Sequence, residues 1–133
     1  MSQPSPGPTR PWARVLVVDD EPNLLRYASV VLLEAGYLVD TAADGKEALE
    51  LVRVRGSRLD AVVSDVVMPQ MNGIQLMEAL SVSDPDLPVV LMSAYGSTAL
   101  IDRGVPVPCG LLIKPFPPER LLAEVERCLR PAA

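Results

Sequence analysis

The segment Leu59–Gly73, LDAVVSDVVMPQMNG, decides how the rest of the chain is interpreted. It begins as an apolar run that ends at one acid, Asp65; Met68 and Pro69 then interrupt the run, and Asn72–Gly73 indicates a turn. Strands disfavour Asp, and burying a carboxylate is costly unless another group compensates its charge. We therefore interpret Asp65 as the reactive centre of a site.

Two other apolar runs also end in charged residues. Val15–Val18 leads into Asp19 and Asp20, and Leu111–Ile113 leads into Lys114. Continuous runs of β-branched residues and Leu suit strands that are covered on both faces, as in parallel sheets. Taken singly, these charged residues could be a helix cap, a turn residue or a surface lysine, but their joint occurrence favours one shared site.

Strand and helix patterns alternate along the chain. Strands are predicted at 15–18, 37–41, 59–64, 89–92 and 111–113, helices follow the first three strands, and an amphipathic helix covers 121–129. After the fourth strand, residues 97–103 allow two helical turns at most, because Gly104 and Pro106 cannot continue a helix. The order predicts an α/β fold, a doubly wound parallel sheet with helices on both faces and a fourth helix that is short or absent.

Right-handed crossovers place the carboxyl ends of all parallel strands at one edge of the sheet, where ligands bind in such folds. We therefore expect one cluster of Asp19, Asp20, Asp65, Ser93 and Lys114. Three carboxylates about 5 Å apart repel by about 3 kcal/mol per pair at an effective dielectric of about 20, so such a cluster takes up protons or holds a cation.

The chemistry of the expected cluster indicates a metal and a phosphoryl group. Hard oxygen ligands without His or Cys favour Mg²⁺, with Mn²⁺ as a substitute. Carboxylates are covalent acceptors in phosphoryl transfer, so Asp65 is the candidate acceptor. Lys114 and the Ser93 hydroxyl would neutralise charge on the transferring group.

Length and composition limit the alternatives. The 133 residues predict a Pro-rich flexible tail at 1–12, one domain at 13–130 and a C-terminal tail at 131–133. A net charge of −5 without a basic run argues against direct binding of nucleic acid. No apolar run approaches the length of a membrane helix and no signal-peptide pattern is present, so we expect a cytoplasmic protein with no membrane contact. With no histidine in the chain, any histidine in the chemistry belongs to a partner.

The chain has two cysteines, Cys109 and Cys128. Their spacing matches neither a disulfide framework nor a metal site. We interpret both as buried or half-buried thiols in a reducing cytoplasm.

Four blocks carry a resemblance to a known family. VLVVDDEP, VVSDVVMPQMNG, VVLMSAYG and LLIKPF resemble the signature motifs of receiver domains of two-component response regulators, the CheY-like superfamily, over residues 13–130. The resemblance implies a flavodoxin-like (βα)5 fold with a central five-stranded parallel sheet. It also implies that Asp65 accepts a phosphoryl group from a phosphohistidine on a histidine kinase or a histidine phosphotransfer protein. The domain would then signal to an unknown downstream protein by conformational change and binding.

The resemblance assigns roles to individual residues. Asp20, Asp65 and the backbone carbonyl of Val67 would hold Mg²⁺, and Asp19 would act through metal-bound water. Lys114 would pair with the phosphoryl oxygens, and Ser93 would swing to bind one of them. The resemblance also implies that the Lys114–Pro115 bond is cis. Such a domain is not an enzyme acting on other substrates; it assists only its own phosphotransfer and dephosphorylation.

The sequence departs from the family in two places. Leu111 stands where the family usually has the aromatic residue that turns inward on phosphorylation, and Tyr95 is a candidate to take over part of that role. The short fourth helix resembles receivers attached to hybrid histidine kinases and argues against output through a dimer of that helix. Val67 and Tyr95 would line the entrance to the acceptor and obstruct water, which predicts a long-lived phosphorylated state.

Two other functions fit the same fold. The first is a pseudo-receiver, a protein-interaction module that is not phosphorylated; the intact set of acids, serine and lysine argues against it. The second is a flavin or nucleotide binder, which the absence of a Gly-rich loop after Val18 disfavours.

Overall fold

The computed structural model describes residues 13–94 and 107–129. The strands are β1 Arg14–Val18, β2 Leu38–Ala42, β3 Ala61–Asp65, β4 Val89–Ser93 and β5 Gly110–Ile113. The helices are α1 Pro22–Glu34, α2 Gly45–Arg55, α3 Gly73–Ser83 and α4 Pro118–Leu129, with a 3-10 turn at Gly56–Arg58. Within these two ranges, no helix combines the length and the apolar character that crossing a membrane requires.

The five strands form one parallel sheet in the order β2-β1-β3-β4-β5. The chain therefore winds outward in one direction from β1 and in the other from β3, and the crevice between these strands is where such folds bind ligands. The predicted fold class is confirmed. The short fourth helix expected at 97–103, and Tyr95, lie outside the described residues.

The central strands β1, β3 and β4 are buried on both faces, which explains why they are almost continuous apolar runs. On β1, Val15 and Val17 pack into the cluster that contains residues of α1 and α4. Leu16 and Val18 point the other way, into the cluster that contains residues of α2 and α3. Alternate residues of one strand thus fill two separate cores, so none of the residues Val15–Val18 faces water.

The sequence DGKE at residues 44–47 predicts a capping box at the start of α2, and the structure forms half of it. The Asp44 side chain accepts a hydrogen bond from the Glu47 amide at 2.8 Å, as predicted for a capping box. The Glu47 carboxylate, however, reaches one residue too far and accepts from the amide of Ala43 instead of Asp44. The complete box forms at α3, where Asn72 and Gln75 exchange side-chain to backbone hydrogen bonds of 2.8 and 2.9 Å.

The interpretation of the two cysteines as free thiols is wrong. Cys109 and Cys128 form a disulfide, with Cα atoms 5.9 Å apart. Cys109 directly precedes β5, and Cys128 lies in the last turn of α4. Because a helix that follows a parallel strand runs back along it, the end of α4 comes to lie beside the start of β5.

Candidate functional site

The three acids singled out in the sequence meet at the carboxyl edge of the sheet. One carboxylate oxygen from each of Asp19, Asp20 and Asp65 lies within 4.8 Å of the others. The parallel register of β1 and β3 sets Val18 opposite Ser64, so the next residue of each strand is an acid of this group. Asp19 and Asp65 are buried, whereas Asp20 is exposed and opens the group to solvent.

Asp19 is held on both carboxylate oxygens. Its Oδ1 accepts a hydrogen bond from the backbone amide of Glu21 at 2.8 Å, and its Oδ2 accepts one from Lys114 Nζ at 3.0 Å. Its own amide donates to the carbonyl of Ala42 on β2, 3.1 Å away. These contacts fix a fully buried carboxylate in one orientation.

Lys114 forms ion pairs with two of the acids, Asp19 and Asp65. Besides its contact with Asp19, its Nζ lies 3.2 Å from Asp65 Oδ1. Burial lowers the pKa of Lys114, but the hydrogen bonds and charges of Asp19 and Asp65 outweigh burial and raise the pKa above its usual value. Lys114 therefore stays charged throughout the physiological range and supplies one fixed positive charge to the site.

The charge of the acids is not fully compensated. Burial raises the pKa of Asp65, and the neighbouring Asp19 carboxylate raises it further. Lys114 and a backbone hydrogen bond from Val67 lower the pKa, but the net effect is upward. An ionised Asp65 is thus destabilised where it stands, and a bound cation or a second positive group would relieve it.

The segment after Lys114 is anchored to α1. The Lys114–Pro115 bond is cis, as predicted. The Tyr27 hydroxyl donates to the carbonyl oxygen of Phe116 at 2.8 Å, and the two rings pack with centroids 5.9 Å apart. Since Phe116 is buried, this contact ties the residues that follow Lys114 to the first helix. Sequence reasoning did not single out Tyr27.

Ser93 and Val67 lie at the same edge. Ser93 is the last residue of β4, and Met92 before it pairs with Asp65 across the sheet. The Ser93 hydroxyl is buried and donates to the carbonyl of Ala94 at 3.1 Å. Val67 lies two residues after Asp65, and its side chain is 57% exposed beside the acid.

Gly73 is a site residue that sequence reasoning interpreted as a turn alone. A Cβ atom at this position would stand 2.1 Å from the carbonyl oxygen of Asp65. The Gly73 amide also donates to the carbonyl of Val66 at 2.8 Å. The first turn of α3 therefore approaches the strand end so closely that only glycine fits, and this approach fixes the backbone of Asp65.

The donor set fits a hard divalent cation. Three carboxylates face the single positive charge of Lys114, so the group is short of positive charge. Carboxylate oxygens are the ligands that Mg²⁺ prefers. When bound, the ion supplies positive charge that a phosphoryl oxygen can share. Asp19, Asp20 and Asp65 are the residues that would hold it.

The comparisons with known proteins identify the family. The sequence model of the response regulator receiver domain matches residues 15–126. This chain belongs to the receiver domain family. Two-component response regulator ARR11 of Arabidopsis thaliana is 42% identical over 104 residues, which are 77% of this chain and 20% of that protein. The receiver domain thus spans about a fifth of the length of ARR11 and of rice response regulator ORR26.

Solved structures resemble this receiver domain over almost their whole length. Chemotaxis protein CheY4 of Vibrio cholerae aligns with a TM-score of 0.77 and 35% identity, covering 88% of this chain and 98% of that one. CheY in the CheX–CheY–BeF3–Mg²⁺ complex from Borrelia burgdorferi aligns with a TM-score of 0.73 and 27% identity, covering 85% and 86%. The chain is accordingly built as the receiver domains of two-component systems are, with an acidic group, Asp19, Asp20 and Asp65, whose oxygen ligands are compatible with Mg²⁺.

Proposed function

We propose that this receiver accepts a phosphoryl group on Asp65 from the phosphohistidine of a partner protein. The observation that carries the proposal is the bridge of Lys114 Nζ to both Asp19 and Asp65, within a group of three acids at the sheet edge. In the transfer, an Asp65 carboxylate oxygen forms a bond to phosphorus while the bond from phosphorus to the histidine nitrogen breaks. The histidine nitrogen leaves with the electron pair, so no oxidant or further reactant is needed.

Mg²⁺ is the proposed cofactor, and Mn²⁺ would replace it. Asp19, Asp20, Asp65 and the backbone carbonyl of Val67 form the proposed ligand set, with Asp19 acting through water. Asp19 suits a water-mediated contact with the metal because it is buried and both of its carboxylate oxygens already accept hydrogen bonds. The Mg²⁺ in the related CheY complex supports the choice of metal.

Lys114 and Ser93 are proposed to hold the transferred group. Lys114 is already charged and aimed at Asp65, so it would pair with a phosphoryl oxygen without a change of protonation. Ser93 would turn its hydroxyl from the Ala94 carbonyl toward another oxygen. Ser93 and Lys114 lie at the carboxyl ends of the neighbouring strands β4 and β5, where the Lys114 amide donates a hydrogen bond of 2.8 Å to the Ser93 carbonyl.

The proposed partners are a histidine kinase or a histidine phosphotransfer protein, and a downstream protein that binds the phosphorylated form. A cytoplasmic location is part of this proposal. The proposal of a protein partner is supported by the related CheY, which is found in complex with CheX. Leu111 is half-buried and packs against the core formed with α2 and α3. Because this position carries a leucine, the proposed readout does not include an aromatic ring that turns inward there.

The test is incubation with acetyl phosphate and Mg²⁺, followed by intact-protein mass measurement. The wild type should gain one phosphoryl group, and Asp65→Asn should gain none. Asp86→Asn, a change at an exposed aspartate away from the sheet edge, is the matched control and should label like the wild type. Omitting the metal, or replacing Asp20 by Asn, should slow labelling strongly.

A wild type that stays unlabelled while a known receiver labels under the same conditions would contradict the proposal. That outcome would favour the pseudo-receiver alternative, in which the same surface binds partners without phosphorylation. The alternative also predicts no binding of Mg²⁺, which a calorimetric titration of the wild type measures directly.

A further inference from the structure

The disulfide between Cys109 and Cys128 lies away from the acidic site, at the opposite end of β5. Lys114 follows the carboxyl end of this strand, whereas Cys109 precedes its amino end. At about 3.3 Å per residue, the five residue-to-residue steps from Cys109 to Lys114 span roughly 17 Å. The disulfide is therefore a feature of the chain that the phosphoryl chemistry does not use.

We propose that Cys109 and Cys128 form a reversible oxidation site that exchanges with low-molecular-weight thiols and disulfides. This proposal rests on the cytoplasmic location proposed above, because in a reducing compartment a disulfide between the two cysteines of this chain is a regulatory rather than a permanent cross-link. The Cα atoms are 5.9 Å apart, within the range in which the bond forms and breaks without moving the backbone. The inference does not depend on phosphorylation of Asp65.

Accessibility and charge both suit thiol exchange. Each cysteine is half-buried, so a small disulfide can reach the sulfur atoms. The Arg127 guanidinium donates to the carbonyl oxygen of Cys109 at 2.7 Å and is the chain neighbour of Cys128, so a positive charge lies beside the pair. Positive charge favours the thiolate, the reacting form, although Glu124, 2.9 Å from Arg127, offsets part of it.

The exchange balances in two steps. A thiolate of one cysteine attacks a small disulfide, forming a mixed disulfide and releasing one small thiolate. The second cysteine thiolate then attacks the protein sulfur of the mixed disulfide, forming the Cys109–Cys128 bond and releasing the other small thiolate. The two protein thiols are oxidised, the small disulfide is reduced to two thiols, and these take up the two protons that the cysteines lost.

Oxidation fastens the start of β5 to the end of α4. The same junction already holds the Arg127 contact, and Glu124 packs against Gly110 so tightly that a Cβ atom there would stand 2.5 Å from its Oε1. The cross-link closes a segment with a sequence separation of 19. A loop of that length lowers the unfolding equilibrium constant by about two hundredfold in the chain-entropy description of disulfides.

The site also shapes a neighbouring cleft. Cys109 lines an apolar cavity between the end of α3 and the start of β4, together with Met77, Leu80, Leu87 and Val107. Val107 is 90% exposed, two residues before the disulfide. Oxidation therefore restrains one wall of this cleft, and reduction releases it.

The experiment equilibrates the wild-type chain in glutathione buffers of stepped ratio, quenches with acid, and labels free thiols with N-ethylmaleimide. Intact mass should shift from no adduct to two adducts within the series, with the protein monomeric throughout. Two adducts at every ratio would show that the bond does not form, and no adduct in the most reducing buffer would show that it is permanent; either overturns the proposal.

Two further measurements keep the proposal falsifiable. The unfolding equilibrium constants of the oxidised and reduced forms, measured in urea, should differ by about two hundredfold, and superimposable curves would contradict the proposed restraint. Arg127→Gln should slow thiol labelling of the reduced form several-fold. Arg120→Gln, on the same helix and farther from the cysteines, is its matched control and should leave the rate unchanged; equal rates in both variants would remove the role of Arg127.

Discussion

The carbonyl oxygen of Asp65 occupies the space that a side chain on Gly73 would need, 2.1 Å from the position of its Cβ atom. The clash is with backbone, which cannot rotate away as a flexible side chain can. Gly73 thus couples the start of α3 to the strand end that carries the proposed acceptor.

Replacing Gly73 by Ala should be strongly destabilising. Backbone must shift to admit the methyl group, and we expect a loss of about 3 kcal/mol in the free energy of unfolding. Gly45→Ala is the matched control, since both glycines are buried first residues of helices. A Cβ at Gly45 would meet three side-chain atoms of Met71 at 2.8 to 2.9 Å, its Cβ among them, so Met71 must shift and the cost should be about 1–2 kcal/mol, smaller than at Gly73. Equal urea midpoints for the two variants would contradict this reasoning.

Asp65→Asn should stabilise the metal-free protein near neutral pH. The pKa of Asp65 in the folded protein lies above the ordinary 3.8, so its ionisation costs stability as pH rises from 3.8 through the folded value. Asn mimics the protonated acid and removes this cost. The difference in urea midpoint between variant and wild type, measured in EDTA, should therefore be small below pH 3.8 and grow above it.

The same pair of proteins tests the metal. Mg²⁺ should raise the thermal midpoint of the wild type, because an ion that binds only the folded state stabilises it, and should raise that of Asp65→Asn much less. Asp86→Asn should follow the wild type in both buffers. For the pH prediction above, a difference in urea midpoint between Asp65→Asn and the wild type that does not change with pH would show that the buried charge of Asp65 does not cause the difference in stability.

Tyr27→Phe should act on Lys114 from a distance. The variant keeps the ring that packs on Phe116 but leaves the Phe116 carbonyl without its 2.8 Å donor, which should cost about 1–2 kcal/mol of stability. If the contact also positions Lys114, phosphorylation by acetyl phosphate should slow several-fold. In a Lys114→Met background the same change should have no further effect on the rate. An equal slowing in both backgrounds would mean that Tyr27 acts on the fold alone.

Much of the fold and the placement of the site residues could be predicted from the sequence, because both depend on local pattern and on one topological rule. A β-strand buried on both faces must be apolar throughout, so β1 and β3 stand out, and parallel strands bring Asp19 and Asp65 to one edge. What the sequence did not show depends on distances between elements. No spacing rule places Cys109 beside Cys128, and the two-residue turn signal at Gly73 does not reveal which backbone atom the glycine must clear.

Val67 should control how long a phosphoryl group survives on Asp65. Its side chain is apolar and 57% exposed two residues after the acceptor, so it can keep water from the phosphorus while its backbone serves the site. Val67→Asn leaves that backbone in place but adds a polar group that can orient water, so loss of the phosphoryl group should become several-fold faster. Val82→Asn, at an 84% exposed valine on α3, is the control and should leave the lifetime unchanged. The measurement is the decay of the phosphorylated mass after removal of acetyl phosphate. A wild type that loses its phosphoryl group within seconds would show that water already reaches Asp65 freely past Val67.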